Sequence, residues 1–149
     1  MIQPILWSLL LALHLLCMAY WVGGGLNAVL VARSGTALLD GAQRQTVLLQ
    51  IYSRYCRALM HIVPVSLLSG WGLVLHLGGF AHLAWPINAM QALGVIMAAL
   101  FVSIVRGPLR TARRAIRPQA ATFATIRTRI VYMVALGILT TLCASLAGA

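Results

Sequence analysis

Four long apolar runs separated by arginine-bearing connectors govern what this chain can fold into. They cover about residues 4–31, 58–79, 86–105 and 130–146, and each can cross a hydrocarbon core about 30 Å thick as a single helix. Lipid offers a backbone no hydrogen-bonding partners, so such runs must satisfy their own N–H and C=O groups and become helical. The expected fold is all-α: an integral membrane four-helix antiparallel bundle, one domain over residues 1–149, with loops at 32–57 and 106–129. Only 8% of the residues are charged, against about 25% in soluble domains.

The charges also orient the bundle. All eleven basic side chains are arginines, and all lie in the connectors after the first and third runs or at their flanks. The positive-inside rule then makes both connectors cytoplasmic and puts both termini on the outer, periplasmic side of a bacterial inner membrane. A net charge of +10 would suit nucleic acid on a soluble surface; between apolar runs it points to anionic lipid headgroups as the partner, with no nucleic acid. The chain holds a single acidic residue, Asp40, so paired-carboxylate catalysis and proton relays on buried acids are excluded, and no catalytic residue is expected. Cys17, Cys56 and Cys143 fall in no metal-binding or haem-attachment spacing.

Within this frame several local expectations follow. The first run has no basic residue ahead of it and is too long for a signal-peptide core, which reads as a retained helix. Thr46 to Arg57 is expected to be an interfacial helical extension, and Pro64 to kink the second helix or break a hydrogen bond there. Trp85-Pro86 reads as an interface aromatic followed by a helix-starting proline.

His14 is the side chain that asks for a function. An imidazole among leucines costs free energy unless its ring nitrogens are bound. Cys17, Met18, Trp21 and Gly25 follow it at helical spacing, giving one face soft donor atoms, a flat aromatic and a gap. The competing reading has His14 bonded to a carbonyl of a neighbouring helix and Gly25 serving only close packing.

Similar stripes occur on the other helices: His61, Val65, Ser69, Gly72 and His76 on the second, Met90, Gly94, Met97 and Phe101 on the third, and Met133, Gly137 and Thr141 on the fourth. From the helical rise, His14 lies roughly 12 Å below the outer surface, His76 roughly 5 Å and Met90 roughly 6 Å. Two imidazoles suit a b-type haem, whereas His14, Cys17, Met18 and Met90 are soft enough for copper as Cu(I). His14 and His76 are the candidate metal ligands, with Met90 and His61 as further cofactor-binding candidates. His61, beside Arg57, has lipid phosphate or a carbonyl as its alternative partner, and His82 in the outer turn is expected to be solvated or to serve metal entry.

Several segments resemble a known family. LALHLLCMAYWVGGG resembles the first-helix signature of the CopD/HemJ-like superfamily of small bacterial membrane proteins, a histidine about seven residues ahead of Trp-x-Gly-Gly. LLSGWGLVL, INAMQALGVIMAALF and IRTRIVYMVALGILT resemble its second, third and fourth helices. The resemblance implies a four-helix fold, a b-type haem and protoporphyrinogen oxidation in the HemJ branch, and copper uptake in the CopD branch. By position the haem histidine is His14, and Met90 stands where the HemJ branch carries a lysine; this chain has no lysine at all. The function expected is that of a haem-b-binding membrane protein in electron transfer, or an accessory subunit of a redox complex. Quinone or redox subunits are its expected partners, a homo-oligomer or larger complex its setting, and copper uptake or HemJ-type oxidation the alternatives.

Overall fold

The computed structural model describes residues 2–117 and 119–147, without the side chains of residues 2, 82 and 147. Its helices are α1 (Ile2–Gly35), α2 (Gly41–His76), α3 (Trp85–Arg106), the short α4 (Pro108–Arg114) and α5 (Ala120–Ala147), with a 3-10 turn at Phe80–His82. Among the described residues, four helical segments are long and apolar enough to cross a membrane, α3 and α4 counting as one. The outer surface agrees: Leu9 and Leu16 of α1 are 62% and 69% exposed, a distribution that water would penalise and lipid favours. The chain is a multi-pass helical membrane protein.

Contacts fix the antiparallel arrangement. On α1 and α2, Trp7 meets His76, Leu10 lies beside Gly72, His14 beside Gly70, and Trp21 bonds Tyr55, so the numbers fall along one helix as they rise along the other. Gly137 of α5 lies against Val22 of α1 and Met97 of α3, and Arg129 reaches Ser103. The bundle therefore has a termini end and an arginine end, with α1 and α5 adjacent and α3 between α5 and α2.

The helices are longer than the apolar runs. α1 continues to Gly35 and α3 to Arg106, and α5 begins at Ala120 rather than Ile130. Arginine is a good helix former, so a charged connector need not end a helix. In α5 the added turns are held by Phe123 and Ile126, both buried, which extend the stripe of Ile130 and Met133. The Thr46–Arg57 extension is helical, but it continues the line of α2 as one unbroken helix through Pro64.

At its other end α2 stops three residues earlier than the apolar run. Gly79 N–H donates to Val74 O and Gly78 N–H to Leu75 O, with Gly78 at φ 101°. This pair of bonds is the Schellman ending, which needs a residue tolerant of positive φ just beyond the helix.

The core runs through Trp21, Leu59, Met97, Ile104, Ile126, Ile130 and Met133. The glycines of the expected stripes mostly serve it. A Cβ on Gly25 would meet Tyr55 Oη at 2.8 Å and also collide with Val134, so the gap expected beside Trp21 is already filled by protein. A Cβ on Gly137 would collide with Val22. These are close helix packings of the ordinary small-residue kind.

Candidate cofactor cleft at the termini end

The α1 face predicted from spacing is the buried one: Cys17, Trp21, Gly25, Ala28 and Ala32 are buried, with His14 and Met18 half-buried above them. His14 lies against α2 where that helix has no side chain. A Cβ at Gly70 would come within 2.9 Å of His14 Cε1, so only glycine lets the imidazole approach this backbone. The ring Nδ1 then lies 2.9 Å from Ser66 O and 3.1 Å from Ser69 Oγ, while the Ser69 hydroxyl itself donates to Ser66 O at 3.0 Å.

A carbonyl oxygen can only accept, so this bond assigns the ring proton to Nδ1 and leaves Nε2 with a bare lone pair. The structure shows the carbonyl-bonded reading of His14, and it leaves the second ring nitrogen without a protein partner among the described residues. Fixing Nδ1–H on a backbone oxygen is the usual way a protein orients a metal-binding imidazole.

Beside the ring is a cleft of about 520 Å³ among all four spanning helices, open on one side. Its walls include Trp7, His14 and Met18 from α1, His76 from α2, Met90 and Gln91 from α3, and Thr140 from α5. Beneath it a cavity of about 20 Å³ is lined by His14, Met18, Trp21, Met90, Gln91 and Thr140. The Trp21 indole N–H is buried and has no acceptor among the described residues. A buried donor of this kind costs about 1–3 kcal/mol unless something polar occupies its surroundings.

His14, His76 and Met90 share the cleft, but at different levels. His76 stacks on Trp7 with ring centroids 3.8 Å apart and planes 12° from parallel. Trp7 stands two helical turns from His14, and Gly70 six residues from His76, so the imidazoles are offset by about 10 Å along the bundle axis. His76 therefore occupies the mouth of the cleft, and Met90 lines both the cleft and the cavity below with His14.

His61 is exposed on α2 and lines neither space; the stripe from His61 to His76 does not form one inward face, since Val65 and His76 are exposed while Ser69 is buried. Cys17 is buried yet touches neither space. The side chain of His82 lies outside the described residues. Spacing does not single out Ser66, Gly70, Trp7, Gln91 or Thr140. The adjacent small residues Ser69 and Gly70, one turn beyond Ser66, are the one signal in the sequence that another helix approaches there.

Among the described residues no three His, Cys, Asp or Glu side chains gather closely enough to hold a metal ion. Comparison of the chain with family models, with curated proteins and with solved structures gives no match.

Proposed function

We propose that the cleft at the termini end holds a b-type haem ligated by His14, and that the protein passes electrons within a bacterial inner membrane, alone or as an accessory subunit of a redox complex. The observation that carries this reading is the imidazole of His14, fixed through Nδ1 on Ser66 and left with Nε2 free beside a large apolar cleft. The donor set fits a porphyrin better than a bare ion. A macrocycle supplies four nitrogens of its own and asks the protein for one or two axial ligands.

Met90 is the second ligand in this proposal, because it shares the inner part of the cleft with His14. His76 and Trp7, stacked on each other at the mouth, would close the outer end of the cleft with an aromatic wall. When bound, the haem supplies reversible one-electron chemistry. The residues around it exclude water, and the open side of the cleft gives a quinone or partner subunit access from the bilayer. The arginine connectors support an orientation with this cleft on the periplasmic side.

The reading agrees with the resemblance to the CopD/HemJ-like superfamily in the first helix. Of that group's activities, protoporphyrinogen oxidation is disfavoured by methionine standing where its lysine would be. Copper uptake has one observation of its own: His14, Met18 and Met90 line a cavity about the size of a single ion. A reduced-minus-oxidised spectrum with metal analysis separates these readings. Haem predicts a Soret band and a reduced α-band with about one iron per chain; a protein without them that binds Cu(I) stoichiometrically would replace haem by copper.

A further inference from the structure

The arginine end contains a second cleft, of about 340 Å³, where α1, α2 and α5 converge. Arg33, Arg44 and Arg127 line it, one from each helix, together with Gln45, over a floor that includes buried Tyr52 and Phe123. The first residues of two helices, Gly41 of α2 and Ala120 of α5, also border it, which adds the positive ends of two helix dipoles. The cap of α2 makes no side-chain hydrogen bond, and the one acidic residue of the chain, Asp40, does not line the cleft.

Eleven arginines face that single carboxylate side chain, so at least ten guanidiniums need counter-charge from elsewhere. Others are engaged locally: Arg113 donates to Ser53 Oγ, and Arg129 to Ser103 O. Those of the cleft point to an anion.

An adjoining groove of about 450 Å³ shares Arg33 and Arg127 and is otherwise largely apolar, with Val29, Leu30 and Val131 along it. Counting the about 20 residues that cross the hydrocarbon from Leu6 on α1 and from Leu146 on α5 places its inner edge near Leu26 and Arg127. Arg33 then stands about 10 Å beyond that edge, so the two shared arginines bracket the depth of lipid phosphates.

We propose that Arg33, Arg44 and Arg127 bind the phosphate headgroup of an anionic phospholipid, whose glycerol and the first carbons of one acyl chain lie in the Val29–Leu30–Val131 groove. This is a defined lipid site, beyond diffuse attraction of basic loops to the membrane, and it does not rest on the cofactor reading. The groove favours a lipid over a free phosphate compound, since a soluble anion would use the arginines and leave the apolar wall bare.

Native mass spectrometry of the full chain in detergent, titrated with short-chain phosphatidylglycerol, tests the site. One saturable lipid is expected, which phosphatidylcholine and inorganic phosphate do not displace at comparable concentration. Arg33→Gln with Arg127→Gln should weaken it about 30-fold, and Arg44→Gln alone about 5-fold, at about one surface arginine's worth each. Arg110→Gln with Arg117→Gln removes equal charge from exposed positions outside the cleft and should leave binding intact. Unchanged affinity in both cleft variants, equal loss in the Arg110/Arg117 pair, or displacement by inorganic phosphate would each overturn the proposal. The single variant keeps the test decisive if the double variant does not fold.

Discussion

His14 Nδ1 and Ser66 O are 2.9 Å apart across the α1–α2 interface, and this one bond decides which nitrogen of the buried imidazole is left to bind anything. Because the acceptor is a main-chain oxygen, no side-chain replacement at position 66 removes it. What can be altered is the approach of the two helices. Gly70→Ala would put a Cβ 2.9 Å from His14 Cε1, closer than a side-chain carbon can sit without one of the two shifting. The ring must leave its seat, at a cost of about 1–3 kcal/mol in an overpacked interface. The expected outcome is loss of most bound haem together with lower stability in detergent unfolding. Gly23→Ala meets nothing within 4 Å and should not lower stability, the better helix former adding up to about 1 kcal/mol. If Gly70→Ala retained full haem, the proposed ligation by His14 would be wrong.

The hydroxyl of Ser69 sits 3.1 Å from the same nitrogen and offers it a second acceptor. Hydrogen bonds to Nδ1–H make an imidazole a stronger donor to iron and favour the ferric state. Ser69→Ala should therefore raise the midpoint potential of the bound haem, by on the order of 10–40 mV if a fraction of one hydrogen bond is lost. Redox titration reads this directly. A lowered potential would contradict the proton assignment at Nδ1.

Much of this arrangement is legible in the sequence. The four spans, and the inward face that carries His14, Met18 and Trp21, follow from run length and helical spacing, because lipid permits little else. The partners across the interface are not legible there. Spacing identifies which residues share a face, whereas Ser66 contributes a carbonyl, a group that every residue has. The second helix misleads for a different reason: at about 100° per residue His61 lies roughly 80° around the helix from Ser69 and so leaves the inward seam, whereas His76 returns to within about 20° of Ser69 but stands in the last turn of α2, at the open mouth of the cleft. The arginine-rich start of α5 is hidden because polarity reads as loop, although Phe123 and Ile126 already carry the helical period into that segment; the corresponding end of α2 is legible as helix from Thr46 onward, but not its continuity with the span.

If the cleft holds the proposed haem, Met90 and His76 are the two candidates for its second ligand, and substituting them should give different spectra. With Met90 the ligand, Met90→Leu should turn a six-coordinate low-spin haem into a five-coordinate high-spin one while the Soret band persists. His76→Leu removes a ring stacked 3.8 Å from Trp7 and should leave the spin state unchanged. The opposite pattern, in which only the His76 variant changes spin state, would transfer the ligand role to the mouth of the cleft.

Tyr55 supplies a prediction about the scaffold alone. Its hydroxyl donates to the backbone oxygen of Trp21 at 2.6 Å, and its ring edge lies against Gly24 and Gly25, so this side chain locks α1 to α2 below the cleft. Trp21 O belongs to a helix and can still accept its ordinary backbone bond, so Tyr55→Phe leaves no carbonyl wholly unpaired. The cost should stay near the about 0.6 kcal/mol typical of hydrogen bonds between membrane helices, well below that of losing a soluble core contact. Reversible unfolding in mixed micelles measures it. Haem content should not change, because Tyr55 lines neither the cleft nor the cavity beneath it. A loss of several kcal/mol would mean instead that the phenol is the principal clasp of the helix pair, and then the seat of His14 two turns above would loosen with it.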